Sequence, residues 1–105
     1  MPRRTTPDPL SEAVGQRIRL LRKGQGLTAE KLAYQSEVGS KGYISDIEAG
    51  LASPSLATLQ KIADHLEVDL LDLLTFPESS TRHRVIDESR GMSETALKKL
   101  LRSLE

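Results

Sequence analysis

Cysteine and tryptophan are both absent from the 105-residue sequence, which contains only two tyrosines and one phenylalanine. Without cysteine the chain can form neither a disulfide nor a thiolate zinc site. No apolar run approaches the roughly 20 residues that a membrane-spanning helix needs, and no signal-peptide core is present. The two histidines, His65 and His83, are isolated from each other, so we predict no metal site and no cofactor. One small cytoplasmic domain with tails is the simplest expectation.

The motifs of common enzyme classes are also missing. There is no glycine-rich phosphate loop, no H-E-x-x-H motif and no carboxylate pair at working spacing. The serines and threonines have no His–Asp arrangement near them in the sequence. A chain of this size is also too small for a deep pocket, and we therefore predict a protein that is not an enzyme.

With aromatics at 3% of the sequence, the core must be aliphatic. Leucine dominates the apolar residues, and β-branched runs of strand length are lacking. Apolar positions instead recur at steps of three and four, which is the helical period. The sequence therefore predicts an all-α fold.

Opposite charges are balanced in number but separated along the chain. The formal net charge is zero, which argues against a strongly basic coat for non-specific nucleic-acid binding. A sequence-reading DNA binder is still allowed, because the local field on one face is what matters. The basic residues of the first predicted helix are Arg17, Arg19, Arg22 and Lys23, and the acids gather later at Asp64, Glu67, Asp69, Asp72 and Glu78.

The segment on which the interpretation depends runs from Leu27 to Glu48 and reads as two short helices joined by a turn. Thr28 suits the N-cap of the first helix, and Ser40 suits that of the second. Gly39 can adopt a positive φ in the turn at little cost. In the second helix Ile44 and Ile47 form a buried seam, and the outer face carries Lys41, Gly42, Tyr43, Ser45 and Asp46. A helix with small or polar residues at its exposed start fits a DNA major groove.

Three further helices are predicted around this segment, and their apolar faces supply one small core. Asp8-Pro9 starts the first, about 14 residues long, and Gly24-Gln25-Gly26 ends it. Pro54-Ser55 starts the fourth, and the short fifth covers residues 69–74. The apolar faces are Leu10, Val14, Ile18 and Leu21 in the first helix and Leu56, Leu59, Ile62, Ala63 and Leu66 in the fourth.

The two ends of the sequence differ from this central region. Residues 1–7 predict a disordered arm, in which Arg3 and Arg4 are either solvated or in contact with a minor groove. Residues 8–76 form the predicted domain, and the polar residues 77–92 read as a linker. Ser93 caps a last helix over residues 93–105, whose apolar stripe needs a partner, either its own domain or a second copy. The stripe consists of Leu97, Leu100, Leu101 and Leu104.

Three sequence segments, which follow one another in the order seen in a known protein family, give the chain its resemblance to that family. They are RIRLLRKGQGLTAEKLA, YISDIEAG and PSLATLQKIADHLEVDLLDLL, between about Val14 and Leu74. In these blocks the sequence resembles the Cro/C1-type, or XRE-like, helix-turn-helix regulators. The resemblance implies a five-helix Cro/C1 repressor-like DNA-binding domain, to which this chain adds a C-terminal amphipathic helix.

The resemblance also implies which residues meet DNA. The third helix enters the major groove, the start of the second meets a phosphate, and the loop before the fourth meets the backbone. Glu48 of the I-E-x-G block is expected to pair with Arg22 of the first helix as a structural ion pair. The DNA-binding set is Thr28, Ala29, Ser40, Lys41, Gly42, Tyr43, Ser45, Asp46, Ser53 and Ser55.

Three positions depart from the family pattern. Ala29 stands where glutamine is frequent, so one contact is lost. Four residues rather than three separate Val38 from Tyr43, which leaves either Ser40 or Lys41 at the head of the recognition helix. Asp46 is anionic on a face that meets DNA, where it either accepts from a cytosine N4 amine or repels phosphates and sharpens specificity.

These observations predict a transcriptional regulator that acts on double-stranded DNA in the bacterial cytoplasm, at the nucleoid. We expect a homodimer, formed through the last helix, that binds an inverted-repeat operator with its third helices in successive major grooves. The alternative is an antitoxin or adaptor module, in which Val85, Ile86 and the last helix cover a partner protein such as a toxin or another regulator. Ala29, Asp46 and the zero net charge keep this alternative open.

Overall fold

The structure, a computed structural model, describes residues 5–105, and all of the regular secondary structure in this range is helical. The predicted contacts of Arg3 and Arg4, and most of the predicted arm, lie outside the described residues. The helices are α1 (Pro9–Gly24), α2 (Ala29–Ser36), α3 (Lys41–Glu48), α4 (Leu56–His65), α5 (Leu70–Leu73), α6 (Thr81–Ser89) and α7 (Glu94–Leu104). The all-α prediction is thereby confirmed.

Side-chain caps fix where these helices begin. Each capping side chain accepts a hydrogen bond from the backbone N–H three residues further on, which satisfies a donor that the helix cannot use itself. The predicted caps Thr28 and Ser40 both do so, at 3.0 Å from the nitrogen of Lys31 and 3.2 Å from that of Tyr43. The other helix starts of this kind are at Asp8, Ser55, Ser80 and Ser93.

The chain divides into two compact units, Met1–Leu74 and Thr75–Glu105. The first contains α1 to α5 and an aliphatic core, as the composition predicted. Residues on every one of its five helices are fully buried. The largest side chains with almost no exposure in this unit are Ile18, Leu32, Ile44, Ile47, Ile62, Leu66 and Leu73.

The predicted apolar faces of α1 and α4 are wrong at their first turns. Leu10 is 64% exposed and Leu56 is 69% exposed, although the later members of both stripes are buried. Periodicity assigns a residue to a helix face, but it does not show how far along the helix the packed neighbours extend. Both leucines lie in the opening turn, beyond the end of the packed region.

Gly15 allows α1 to cross α3 with the two backbones in contact. A Cβ added at this position would overlap the carbonyl oxygen of Ile47 and lie 2.7 Å from that of Glu48. Because backbone atoms cannot move aside as a flexible side chain can, only glycine fits here. The close crossing sets the depth of α3 against the core.

The second unit corrects the prediction of a linker over residues 77–92, because α6 occupies Thr81–Ser89. Pro77 and Gly91, the residues that suggested a linker, flank this helix and do not interrupt it. Ser80 caps it, with Oγ 3.1 Å from the nitrogen of His83. His83 Nδ1 also accepts a hydrogen bond of 2.8 Å from the Phe76 N–H, and the two rings stack. These local contacts stabilise a helix that has no strong apolar pattern.

Candidate nucleic-acid interface

The turn between α2 and α3 contains two residues with a positive φ. Gly39 has a φ of 134°, as the sequence led us to expect, and Glu37 adopts the left-handed conformation with a φ of 57°. The sequence left open whether Ser40 or Lys41 leads α3. In the structure Ser40 is the N-cap and Lys41 is the first helical residue. Glu37 was missed, since nothing in its side chain marks it for a left-handed conformation.

The two faces of α3 are distinct. Ile44 and Ile47 are fully buried and anchor the helix, while Lys41, Gly42 and Ser45 on the other side are exposed. Tyr43 and Asp46 are half-buried at the border between the two faces. The sequence-predicted residues of the recognition helix therefore lie on one accessible surface, which is what reading base edges requires.

Tyr43 has a visible packing role. A Cβ added at Gly39 would lie 3.1 Å from Cδ2 of the Tyr43 ring, so the ring lies over the space that glycine leaves free. Both interpretations of Tyr43 made from the sequence, a core-edge ring and a hydroxyl for phosphate, are compatible with this half-buried position.

Arg22 and Glu48 form a paired contact between α1 and the end of α3. Arg22 Nε donates to Oε2 of Glu48 at 2.7 Å, and Nη2 donates to Oε1 at 2.9 Å. Nη1 donates to the carbonyl oxygen of Leu27 at 2.6 Å. The hydrogen bond to Glu48 raises the pKa of Arg22 above its ordinary value, despite the opposing effect of burial. One guanidinium thus fixes α3 and the residue before the α2 cap to α1.

Arg17, one of the basic residues of α1, is buried. The residue is only 5% exposed, and its Nε donates to the carbonyl oxygen of Asp72 at 2.8 Å. A buried guanidinium that holds α1 to α5 is a structural group. Arg19 and Lys23 are exposed on the same helix.

The predicted backbone-contact residues lie at helix starts and in the loop before α4. Thr28 is exposed at the start of α2, and Ala29 is half-buried. Ala29 and Ser45 also line a concavity of about 250 Å³ with Arg19. Ser55 is exposed and caps α4, whereas the hydroxyl of half-buried Ser53 lies 3.1 Å from that of Ser11.

The apolar stripe of α7 is largely exposed in the described chain. Leu101 is 58% exposed and Leu104 is 77% exposed, Leu100 is also exposed, and Leu97 is half-buried. An isolated helix of this length is marginal in water. These leucines therefore form an exposed apolar stripe along α7.

Two exposed residues of α2 escaped the sequence analysis. Tyr34 is 84% exposed, and Lys31 is exposed on the same helix. Together with Lys41 they line a concavity of about 600 Å³ beside the turn. Their spacing of three residues on one helix face was the available signal.

Two absences hold for residues 5–105. No helix there is both long enough and apolar enough to cross a membrane. Within the same range, no group of three or more His, Cys, Asp or Glu residues is arranged to hold a metal ion.

An α2–turn–α3 pair, anchored by a buried seam and exposing polar residues along α3, defines a helix-turn-helix DNA-binding protein. The family model described as Helix-turn-helix, HTH_3, matches residues 18–73. The chain belongs to this family, and its resemblance to the Cro/C1-type, XRE-like regulators is confirmed. It carries the helix-turn-helix domain of this family, which related proteins named as transcriptional regulators share.

Known proteins of this kind match different shares of the chain. The HTH-type transcriptional regulator SlrR of Bacillus subtilis (strain 168) is 44% identical over 61 residues, which are 57% of this chain and 40% of SlrR. The chain thus matches less than half the length of this curated relative.

Two solved structures of SinR are also similar. SinR in complex with DNA, described as the master regulator for biofilm formation, shares 37% identity with a TM-score of 0.55 over 58% of this chain and 97% of that one. The complex of SinR with SinI shows 28% identity and a TM-score of 0.62, covering 87% of this chain and 93% of the matched chain.

Proposed function

We propose that this regulator binds an inverted-repeat operator as a homodimer, with α3 of each copy in the major groove. The exposed side of α3, headed by Lys41 and backed by buried Ile44 and Ile47, is the observation that carries the proposal. The similarity to SinR, which was solved on DNA, supports it.

Within this mechanism the residues divide between base reading and backbone positioning. Lys41 donates to guanine O6 and N7, and Asp46 either accepts from cytosine N4 or disfavours other sequences by repulsion. Ser40, Gly42, Tyr43 and Ser45 border the same groove. Phosphates lie at the start of α2, near Thr28 and Ala29, and at the loop that carries Ser53 and Ser55.

Dimerisation is assigned to α7. Burial of its leucine stripe against a second copy would remove Leu100, Leu101 and Leu104 from water, and each buried leucine contributes about 1.5 to 3 kcal/mol. Two domains joined in this way place their α3 helices about 34 Å apart, one turn of the duplex. Bound at a promoter in the bacterial cytoplasm, such a dimer blocks or recruits RNA polymerase.

Selection of binding sites from genomic fragments with the purified chain tests this proposal. We expect a palindromic enriched motif, and an affinity that falls steeply with salt because bound phosphates release counterions. A folded, soluble chain that enriches no motif would contradict sequence-specific binding. A motif without two-fold symmetry would contradict the dimer.

A second candidate is an antitoxin or adaptor whose second unit binds a partner protein. Val85 is 54% exposed on α6, and the α7 leucines are exposed as well. The similar SinR chain was solved as a complex with SinI, another protein. Sedimentation equilibrium separates the candidates, since a monomer at micromolar concentration with its α7 leucines exposed favours a partner, whereas a dimer favours self-association.

A further inference from the structure

The side chain of His83 closes the loop of residues 76–80, which leads into α6 in the second unit. Its Nδ1 accepts a hydrogen bond of 2.8 Å from the Phe76 N–H, and the backbone N–H of His83 donates to Ser80 Oγ at 3.1 Å. Within the loop, the carbonyl oxygen of Phe76 accepts from both the N–H and the hydroxyl of Ser79, each at 2.8 Å. The start of the loop is thus tied to the first turn of α6 through one imidazole.

This hydrogen bond defines the protonation state of the imidazole. An Nδ1 that accepts carries no proton, so the geometry requires a neutral His83 with its proton on Nε2. Histidine takes up a second proton between about pH 5 and 8, and both ring nitrogens of the imidazolium are donors. Protonation therefore replaces the accepted hydrogen bond by two N–H groups that point at each other.

The charges around His83 do not replace the lost hydrogen bond. They come from the loop and from α6 itself, because α7 does not pack extensively against α6. The charged residues nearest to His83 on these two segments are Glu78, Arg82, Arg84 and Asp87. Asp87 pairs with Arg90 at 3.2 Å, and Glu78 is exposed. His83 is the third residue of α6, where the helix dipole opposes a positive charge and the two flanking arginines repel it.

We propose that His83 is a pH-sensitive switch, which holds the loop of residues 76–80 to α6 when it is neutral and releases the loop when it is protonated. The stabilising contribution is complete above neutral pH and is lost as the pH falls through the range in which histidine takes up its proton. The stacked Phe76 ring, with its centroid 5.8 Å from that of His83, can contact either form. The hydrogen bond is therefore the contact that the proton removes.

The consequence for DNA binding rests on the proposed function. A released loop lengthens the flexible connection between the DNA-binding domain and α7, the helix to which dimerisation is assigned. The effective concentration of the second domain at its half-site falls as a flexible connection becomes longer. Operator affinity of the dimer therefore weakens in acid, whereas binding of one domain to a single half-site does not depend on the loop.

Two substitutions of His83 separate the closed loop from the released one. In His83→Asn the amide oxygen replaces Nδ1 as an acceptor but does not titrate between about pH 5 and 8. His83→Ala has no acceptor at any pH. His65→Asn is the matched control, because His65 is the other histidine of the chain and lies at the end of α4 in the first unit. Thermal unfolding at neutral pH shows whether each variant keeps its fold.

Nuclear magnetic resonance of the full chain tests the switch without DNA. At about pH 7.5 the nitrogen shifts of His83 should show the proton on Nε2, and the Phe76 amide should follow the His83 titration down to about pH 5.5. This amide should not titrate in His83→Asn or His83→Ala, and His65→Asn should reproduce the wild type. A proton on Nδ1 at neutral pH, or a Phe76 amide that does not follow the His83 titration, would overturn the inference.

Fluorescence anisotropy on the duplex enriched by site selection measures the consequence for binding. Between about pH 7.5 and 5.5 the affinity of the wild type should fall about fivefold relative to His83→Asn, the effect of losing one hydrogen bond. His83→Ala should show this loss already at neutral pH, and on a single half-site all variants should bind alike.

The same measurements separate failure of the switch from failure of the proposed function. Identical pH profiles of the wild type and His83→Asn on the full operator would overturn the regulatory inference and leave the proposed function standing. If neither the wild type nor any variant binds a duplex, the proposed function fails, and the titration of the Phe76 amide still decides whether His83 releases the loop.

Discussion

Arg22 and Glu48 are joined by two parallel hydrogen bonds of 2.7 and 2.9 Å, the bidentate arrangement of a guanidinium that faces a carboxylate. The third arm of Arg22 reaches the carbonyl oxygen of Leu27. Through Glu48, Arg22 connects α1 with the end of α3, and through Leu27 it connects α1 with the start of α2. These two segments must keep a fixed angle to each other. The position of α3 therefore depends on a charged contact on its inner side.

Replacement of Arg22 by alanine should lower the free energy of unfolding by about 3 kcal/mol, because Glu48 is left as an uncompensated, largely buried charge. Arg19→Ala is the matched control on the same helix, and we expect it to stay within about 0.5 kcal/mol of the wild type. Urea unfolding followed by circular dichroism measures both. Equal stability of the two variants would contradict a structural role for the pair.

Gly15→Ala should be destabilising by about 2 to 3 kcal/mol, since the added methyl group meets backbone oxygens of α3 that cannot rotate away. Gly24→Ala is the control, because a Cβ at Gly24 meets nothing within 4 Å and alanine favours a helix. Melting temperatures should move in opposite directions for the two variants. A stable Gly15→Ala protein would show that α1 and α3 can separate without cost.

The sequence predicted the helices and caps well, because these features are local. Thr28 and Ser40 act within three residues of themselves, and a single side chain is enough to indicate the helix start. Leu10 and Leu56 were assigned wrongly for the opposite reason. Their exposure depends on how far the neighbouring helices extend beside them, and the helical period carries no information about that extent.

The exposed face of α3 was predictable from the sequence, because a single helix supplies all of its residues. The family pattern indicated Lys41 and Asp46, and the helical period put Ser45 on the same outer face. The structure places these residues at the start or along the outer side of α3. The concavity that includes Lys31 and Tyr34 was not predictable, because its second wall comes from a different helix. The helical part of the predicted linker was missed since Ser80, its cap, stands in a polar stretch typical of loops.

Lys41→Ala should relax base preference at one position of each half-site, at a cost of about 1 to 3 kcal/mol for the preferred base. In the proposed complex the lysine at the first position of α3 donates to guanine, whereas alanine has no donor. Site selection with the variant measures the change as lost enrichment at one symmetric pair of positions. Lys61→Ala, an exposed lysine on α4, should reproduce the wild-type motif. A uniform loss over all positions would instead make Lys41 a phosphate contact.

A double substitution of Leu101 and Leu104 by glutamate should abolish dimerisation, because four carboxylates would then face each other along the α7 stripe of the proposed dimer. Operator affinity should drop about 100-fold or more, since two linked half-sites bind far more tightly than one. Sedimentation equilibrium and anisotropy on the enriched duplex measure the two effects. Lys98→Ala on the same helix is the control, and we expect it to remain dimeric. The helical signal should be retained, because the first unit has its own core. If the double variant is still a dimer, the two copies associate through another surface. The exposed leucines of α7 then contact a partner protein.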